Sequence, residues 1–346
     1  MTRVTDSPVD VVLSVDVEFS LNSALAQPEQ PPLGAEWVYG EAGGRAEGLG
    51  FMLDCFDRHG LKGTFFTEVF NTYFFGDGPM RRVAADILAR GHDLQLHLHP
   101  VWRGFLNPRW QSEPMPPPPG ADSLVGRPPA EIAALLREGA AILERLSGQR
   151  PTAFRCGNLD AGAALYQGMA EAGLVLASNV GVGLLRPAEP QLQLYAGLHL
   201  IGDVLEVPVT TYRMPLFRNR LLLLTTAGSS TAEIRAVLTR AARQGVGPVV
   251  VLMHPHDFRL ALSQAPSGPP RYAADRVRQR RLEQLCGHLA TQPRQYRVTT
   301  FAEAATRWRS AAASQRAEPP LCGSIAGLAQ RLLENKLRPA LLGLPQ

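Results

Sequence analysis

Short apolar segments with strand character alternate with helical segments through most of this chain, and this alternation constrains the fold more than any other feature. The pattern is typical of α/β proteins, in which helices cover a mostly parallel sheet. The strand candidates are Val11–Val17, Gly63–Thr67, Asp93–His99, Thr152–Phe154, Val175–Ala177, Val204–Val207, Val249–Met253 and Tyr296–Thr299. The helix candidates are Gly48–Arg58, Arg81–Arg90, Ala130–Leu146 and a segment opened by the capping box of Ser230 and Glu233.

The chain is long enough for one large domain. Its 346 residues can bury a sizeable core, and no internal repeat divides them. From about Ser310 onward the strand alternation stops, and Ser324–Leu337 has the apolar spacing of an amphipathic helix. We therefore expect one α/β domain over residues 1–310, followed by a helical tail over residues 311–346.

The charge of the chain is moderate and is carried almost wholly by arginine. The formal net charge is +4, and the basic residues are scattered rather than massed, so we expect no nucleic-acid partner. The densest basic group predicts a solvated helix face, with a site for a phosphate-bearing substrate or lipid headgroup as the alternative. This group consists of Arg276, Arg278, Arg280 and Arg281.

No segment of the sequence predicts export or membrane insertion. Met1–Asp10 lacks the charged-then-apolar pattern of a signal peptide, and no apolar run approaches the roughly 20 residues that cross a membrane. The cysteines are widely spaced, without a Cys-x-x-Cys pair, which argues against a disulfide framework and a cysteine zinc site. They are Cys55, Cys156, Cys286 and Cys322. We expect a cytoplasmic protein.

Two acidic residues lie at the end of the first predicted strand. Because side chains alternate along a strand, Ser14, Asp16 and Glu18 share one face. Neighbouring carboxylates repel each other, so a cation or a shared proton must offset the repulsion. The pair therefore predicts a metal ligand beside a general base, with two solvated carboxylates as the alternative.

Two histidines share one face of the third predicted strand. In Gln95-Leu96-His97-Leu98-His99, the histidines lie opposite the leucines. Two imidazoles at this spacing can reach one metal ion such as zinc. Histidines satisfied within the core are the alternative.

Two more strands end in ionisable residues. Arg155 and Asn158 lie at the end of one of them, where a guanidinium can hold a carboxylate in position, although a surface arginine is the alternative.

The apolar strand Val249–Met253 is followed by His254, at the point where a general acid would be placed. His256 lies two residues on. Asp257 is positioned to orient one imidazole.

Three proline-rich loops follow strands that end in ionisable residues. They are Gln27–Gly34, Asn107–Gly120 and Gln264–Arg271. Loops after strand ends surround the active site in βα barrels, so these loops are candidate walls of a substrate site. Rigid surface loops without a special role are the alternative.

The ordered set of motifs resembles the polysaccharide deacetylase family, also called the NodB-homology or carbohydrate esterase family 4 domain. The resemblance spans about Val11 to Phe301. It is carried by five segments: Ser14–Glu18, His59–Phe66, Gly91–His97, Phe154-Arg155 and Leu252–His254. Leu205–Val209 is similar to a strand of the branch that acts in exopolysaccharide and O-antigen pathways.

The resemblance implies a distorted (β/α) barrel of about seven strands and assigns roles to its residues. Asp16 takes the general base, Arg155 steadies it, and His254 takes the general acid. Glu18 and His97 take metal ligands. Members of the family most often place the second acid directly after the first, where this chain has Val17.

The second metal histidine of the family falls at Val101, and His99 is its nearby substitute. We therefore predict a metal site formed by Glu18, His97 and His99. Trp102, Asn158 and His256 are candidate substrate contacts.

These features predict a metal-dependent hydrolase that removes an N-acyl group, with acetyl as the expected acyl, from an amino sugar or a nucleotide- or lipid-linked precursor. Zinc is the expected ion, with cobalt, nickel and manganese as alternatives. Two other functions remain open. One is a hydrolase of small cyclic amides or ureides on the same fold, and the other is a glycan-binding protein without catalysis.

Overall fold

The computed structural model describes residues 7–216, 220–263, 270–312 and 319–341. A sheet of nine strands organises them. Its strands are β1 (Val9–Val17), β2 (Thr64–Glu68), β3 (Asp93–Leu98), β4 (Ala153–Cys156), β5 (Leu176–Ala177), β6 (His199–Ile201), β7 (Val204–Glu206), β8 (Val249–Met253) and β9 (Tyr296–Val298). They lie in the order β8-β1-β2-β3-β4-β5-β7-β6, and β9 pairs with the start of β1. All neighbours are parallel except β6 and β7.

Ten α-helices lie within the described part of the chain. They are α1 (Ala35–Tyr39), α2 (Leu49–Arg58), α3 (Thr72–Phe75), α4 (Asp77–Ala89), α5 (Pro129–Ser147), α6 (Ala163–Ala172), α7 (Thr231–Gln244), α8 (Arg276–Ala290), α9 (Phe301–Ala312) and α10 (Ile325–Leu341). Helices α2, α4 and α5 connect successive parallel strands, as the strand–helix alternation of the sequence predicts. The predicted capping box opens α7, where Glu233 N–H donates to Ser230 Oγ over 3.2 Å.

The sheet curls into an incomplete barrel. Two segments that follow β7 in the chain form hydrogen bonds with the outer edge of β8. Thr210 N–H donates to Val250 O over 3.2 Å, and Leu252 N–H donates to Leu224 O over 3.0 Å. Seven parallel strands form the continuous path of the sheet. This architecture confirms the predicted α/β barrel of about seven strands.

Three short sheets accompany the large one. Glu41–Ala42 pairs with Arg45–Ala46, and Arg259–Ser263 pairs with Arg271–Ala274. Thr211–Arg213 pairs with Leu221–Leu223 on one side and Leu321–Cys322 on the other.

The two faces of the large sheet are buried in different ways. One face packs against the helices, with Val11, Leu13, Val15 and Val17 of β1 in that layer. The other face encloses a separate apolar cluster to which α9 contributes two aromatic side chains. This cluster includes Val12, Phe66, Leu205, Val250, Leu252, Phe301 and Trp308. A strand buried on both faces is apolar at nearly every position, and β1 fits this rule except at Asp10, Ser14 and Asp16.

Two boundaries differ from the sequence prediction for identifiable reasons. Strand β3 ends at Leu98 instead of His99, because Pro100 begins a 3₁₀ segment, Pro100–Leu106. Helix α6, which the pattern did not predict, packs closely on α5. An added Cβ at Gly168 would lie 2.7 Å from a methyl carbon of Ile132, so this close approach requires glycine.

The predicted solvated arginine face is wrong for Arg281. This side chain is 2% exposed, and its guanidinium donates to the carbonyl oxygens of Thr226 and Ala227 and pairs with Glu334 over 2.6 Å. A buried charge needs such partners. Since Glu334 lies far along the chain, the local pattern contains no sign of the pair.

Other sequence expectations concern the ends of the chain and the membrane. The expected boundary at residue 310 falls within α9, which continues to Ala312, and α10 packs against α7. The division into two parts therefore remains a prediction. None of the helices described by the structure has the length and apolar character needed to cross a membrane.

Candidate active site

Polar side chains gather on the inner face of the sheet where the strands end. The strand register sets Asp16 beside Phe66, Glu68 beside His97, and His97 beside Arg155. Because the strands are parallel, their carboxyl ends meet at one rim. The residues that strand alternation predicted to share a face therefore lie together above the inner apolar cluster.

Arg155 holds Asp16 in position. Its Nη1 donates to Asp16 Oδ1 over 2.6 Å and to Ser14 Oγ over 3.0 Å. The other donors bind Ser178, with Nε to the carbonyl oxygen over 3.0 Å and Nη2 to Oγ over 2.7 Å. The guanidinium lies over the Phe66 ring, 4.2 Å from its centroid, and is fully buried. One oxygen of Asp16 is therefore fixed, and Oδ2 remains directed toward the cleft.

Glu18, His97 and His99 converge on one point. Glu18 Oε2 lies 3.5 Å from His97 Nε2 and 2.8 Å from His99 Nε2, and one donor atom from each residue lies within 4.8 Å of the others. One carboxylate oxygen and two imidazole nitrogens form a donor set typical of a zinc-like divalent ion.

The outer nitrogens of both histidines support this fit. His97 Nδ1 lies 2.8 Å from the carbonyl oxygen of Arg155, and His99 Nδ1 lies 2.7 Å from Asp122 Oδ2. A carbonyl or carboxylate oxygen accepts a hydrogen bond, so each Nδ1 carries a proton, and in the neutral imidazole each Nε2 has the lone pair that binds a metal ion. Metal-binding histidines are typically oriented in this way. The residues present therefore fit a divalent ion.

Glu18 and His99 form an ion pair, with Glu18 Oε2 and His99 Nε2 2.8 Å apart. Burial would lower the pKa of His99, but Glu18 and Asp122 outweigh burial and hold that pKa well above its ordinary value. Burial would raise the pKa of Glu18, but His99 and His97 hold it well below its ordinary value.

His254 faces Asp16 from the neighbouring strand β8. Its Nε2 lies 3.9 Å from Asp16 Oδ2, and its Nδ1 lies 3.5 Å from Asp257 Oδ2. Asp257 also accepts from His254 N–H over 2.9 Å, and Arg278 supports Asp257 by donating to its carbonyl oxygen over 3.1 Å. Burial opposes a charge on His254, but the hydrogen bond and charge of Asp257, together with the charges of Glu18 and Asp16, outweigh it and raise the pKa of His254 to about 9. His254 is therefore a proton donor at neutral pH.

The origin of this raised pKa can be tested by NMR titration of metal-free protein. The His254 ring should titrate near pH 9, and Asp257→Asn should move its pKa toward the ordinary value of about 6.5. The shift is downward because loss of the anion removes the main support of the imidazolium. An unchanged pKa in Asp257→Asn would show that another group raises it, and the His199 resonances serve as the internal control.

A cleft of about 490 Å³ adjoins the metal-ligand group. Its walls include Glu18, His99, Asn22, Trp37, Trp102 and His256. The His256 ring stacks on His254 with centroids 4.8 Å apart and contacts Trp37 at 5.6 Å. Burial and the charge of His254 lower the pKa of His256 to about 4, so it is neutral beside the charged ring.

The three candidate substrate contacts differ in their settings. His256 and Trp102 both line the cleft, although Trp102 is 2% exposed and packs mainly against Phe75 and Phe105. Asn158 is exposed, and its Nδ2 donates to Asp122 Oδ2 over 3.0 Å. Asn158 and His99 therefore bind the same carboxylate oxygen of Asp122, and Asn158 is not among the residues that line this cleft.

Asp122 and Gly157, which position His99, were not predicted from the sequence. Asp122 comes from a long loop that has no regular pattern, so only its contact with His99 identifies it. An added Cβ at Gly157 would lie 2.7 Å from His99 Cε1 and Nδ1, so glycine makes room for the ring. The glycine directly after the strand that carries Arg155 is the one sequence feature that could have indicated this close approach.

Glu68 is a further missed residue. It is fully buried at the end of β2, and burial raises its pKa to about 7 even though Phe70 N–H and Asn71 N–H donate to it over 2.7 and 2.9 Å. These hydrogen bonds assign it to the turn before α3.

A second group of metal-ligand types lies away from the cleft. Cys55, His59 and Glu283 place donor atoms within 4.8 Å of one another. Arg58 already pairs with Glu283, and His59 Nε2 lies 3.3 Å from the same carboxylate. The guanidinium of Arg58 thus balances the negative charge of Glu283, and we assign His59 a structural role.

Comparison with known proteins bears on the fold. No protein-family model and no curated protein matches the chain. Among solved structures, a provisionally assigned polysaccharide deacetylase from Mycobacterium smegmatis superposes with a TM-score of 0.52 at 16% identity, over 93% of this chain and 98% of that chain. The chain has the polysaccharide deacetylase fold. Likeness at this level of identity shows the fold, and the activity must be argued from the site.

Two further matches are more distant. A family 4 acetyl xylan esterase from Clostridium thermocellum, solved with a cobalt ion, gives a TM-score of 0.40 at 15% identity, over 86% of this chain and 91% of that chain. A family 4 pseudoenzyme from Bacillus anthracis gives 0.43 at 12% identity, over 86% of this chain and 66% of that chain. Their TM-scores below 0.5 add no support beyond the first match.

Proposed function

We propose that this protein is a metal-dependent hydrolase that removes an N-acyl group from an amino sugar. The observation that carries the proposal is that three metal-ligand side chains lie at the same strand ends as an acid and a base. The ligands are Glu18, His97 and His99, the base is Asp16, and the acid is His254. All five come from the ends of three strands, β1, β3 and β8.

The two proton-transfer groups divide the reaction between them. Asp16 Oδ2 accepts a proton from the attacking water, whose oxygen adds to the carbonyl carbon. His254 Nε2 donates a proton to the amide nitrogen as the carbon–nitrogen bond breaks, because an unprotonated amine is a poor leaving group. The products are a carboxylic acid and a free amino sugar. The short separation of 3.9 Å between these atoms lets both act on one tetrahedral centre.

Arg155 and Asp257 prepare the two groups. Arg155 binds the other oxygen of Asp16 and so keeps the carboxylate aligned. Asp257 fixes the His254 ring so that Nδ1 carries a proton toward it and Nε2 faces the substrate. Glu18, His97 and His99 would hold the ion. A divalent ion there supplies Lewis-acid polarisation of a carbonyl oxygen and a lower pKa for water.

The substrate class is proposed from the cleft. The aromatic side chain of Trp37, with polar groups at Asn22 and His256, matches a sugar ring, which has both apolar and hydroxyl-bearing faces. All four cysteines are unpaired, which supports a reducing compartment and hence a nucleotide- or lipid-linked precursor. Action in exopolysaccharide or O-antigen pathways rests on Leu205–Val209 alone and is part of this proposal.

Two other functions compete with this one. A cyclic amide or ureide hydrolase would use the same acid and base, but the open cleft of about 490 Å³ exceeds the needs of a small ring. A glycan-binding protein without catalysis would need no proton donor, whereas Asp257 keeps His254 protonated at neutral pH. Both observations favour the hydrolase.

A substrate panel tests the proposed function. We expect amine release from N-acylated amino sugars, free or attached to a nucleotide or lipid, and no ring opening of hydantoin or allantoin at the same enzyme concentration. The protein is assayed with zinc or cobalt, and Asp16→Asn serves as the blank for contaminating activity. Ring opening without amine release would favour the cyclic amide hydrolase, and binding without either reaction would favour the glycan-binding protein.

A further inference from the structure

A second cavity, largely apolar, adjoins the cleft beyond His99. Its volume is about 350 Å³, and Val101 lines both it and the cleft. Its walls include Leu25, Val101, Trp110, Met115, Pro116 and Pro118, most of them from the proline-rich loop predicted to select substrate. The charged residues among its lining are Glu113 and Arg127. The cavity is therefore suited to a hydrocarbon group.

The order of the strands decides which part of a substrate this cavity faces. His254 follows β8, Asp16 and Glu18 end β1, and His97 and His99 end β3, in the order β8-β1-β2-β3. In the proposed function, His254 protonates the amide nitrogen, so the sugar lies on the β8 side of the cleft, near His256. The acyl substituent of the same carbonyl carbon then extends the other way, toward β3 and beyond His99.

Val101 and Ala121 link the cavity to the metal-ligand group. Val101 is two residues beyond His99, and Ala121 directly precedes Asp122, which binds His99 Nδ1 over 2.7 Å. Val101 N–H also donates to Asp122 Oδ1 over 3.3 Å. Val101 therefore borders both the cleft and the cavity, and it is apolar at the position where the resemblance implies a histidine.

We infer that this cavity receives the acyl chain of the substrate, and that the enzyme removes N-acyl groups with hydrocarbon chains longer than acetyl. The inference rests on the proposed function. A methyl group is about the size of a water molecule, whose share of liquid volume is about 30 Å³, so an acetyl group would leave a cavity of about 350 Å³ nearly empty. A chain of several methylenes would fill it and cover the exposed Met115.

The test compares methyl glycosides of glucosamine that carry N-acetyl or N-octanoyl groups. Each buried methylene favours binding by about fourfold, so the six additional methylenes should raise kcat/KM by at least about tenfold even with partial burial. Met115→Glu places a charge in the wall and should reduce this preference at least about tenfold. Leu106→Glu is the matched control, since Leu106 is likewise exposed but outside the lining, and it should keep the wild-type preference.

Each alternative outcome has a distinct reading. Faster hydrolysis of the N-acetyl compound by the wild-type protein would overturn the inference and leave the proposed function intact. A preference for octyl over methyl N-acetylglucosaminide that Met115→Glu removes would assign the cavity to the aglycone and also overturn it.

Failure to hydrolyse any of these compounds would contradict the proposed function instead. In that case, the affinities of the two N-acyl glycosides, measured by calorimetry, test whether the cavity binds the acyl chain. Equal affinities would overturn the inference, and tighter binding of the octanoyl compound that Met115→Glu removes would support it.

Discussion

Removal of divalent ions should abolish hydrolysis, and zinc or cobalt should restore it. The physical reason is that Glu18, His97 and His99 form the donor set of a divalent ion. A chelator would leave Asp16 and His254 in place without the Lewis acid that polarises the carbonyl, a contribution of several kcal/mol. The measurements are amine release and metal content by mass spectrometry, before and after dialysis against the chelator.

Matched histidine variants locate the ion. His99→Ala should lower the bound zinc from one equivalent toward none and remove activity. His59→Ala serves as the control because His59 belongs to the separate group with Cys55 and Glu283. Full activity in a sample shown to be free of metal would end the metal mechanism. Loss of zinc in His59→Ala, but not in His99→Ala, would move the ion to the other group.

Strand alternation explains why much of the site could be predicted from the sequence. Asp16, His97 and Arg155 occupy inner-face positions on strands whose opposite face is apolar, so their shared face follows from a period of two. His254 is predictable for the same reason, as the first polar residue after a buried strand. The common edge follows from the parallel order, which the alternation of strands and helices indicates.

Contacts made by loops could not be predicted in this way. Asp122 reaches His99 from a loop, and Asn158 turns toward Asp122 because its backbone has a positive φ of 59°. Neither feature leaves a periodic pattern. Arg281 was predicted to be solvated but is buried. Its partner Glu334 comes from α10, and only tertiary packing brings the two together. Local periodicity therefore predicts which face a residue occupies, and it does not predict which distant residue meets it.

Asp16→Asn and His254→Ala should each lower kcat by about 10²–10⁴. The amide of the first variant cannot accept the proton of the attacking water, and the second variant lacks the imidazole that protonates the leaving amine. The two losses should differ in their dependence on the leaving group. An activated anilide, whose amine departs more readily, should partly rescue His254→Ala but not Asp16→Asn. Steady-state kinetics on both substrates, with zinc content matched among the variants, measure this difference.

His256→Ala is the matched control for His254→Ala, because the two rings stack on each other with centroids 4.8 Å apart. It should affect KM more than kcat, since the pKa of His256, lowered to about 4, leaves this ring without a proton to donate at neutral pH. Circular dichroism and thermal unfolding must show that each variant is folded, above all Asp16→Asn, which weakens the buried pair with Arg155. A larger loss of kcat in His256→Ala than in His254→Ala would show that the acid has been assigned to the wrong ring. The 3.9 Å from His254 Nε2 to Asp16 Oδ2 argues against that result, because the donor and the acceptor must act on the same carbon.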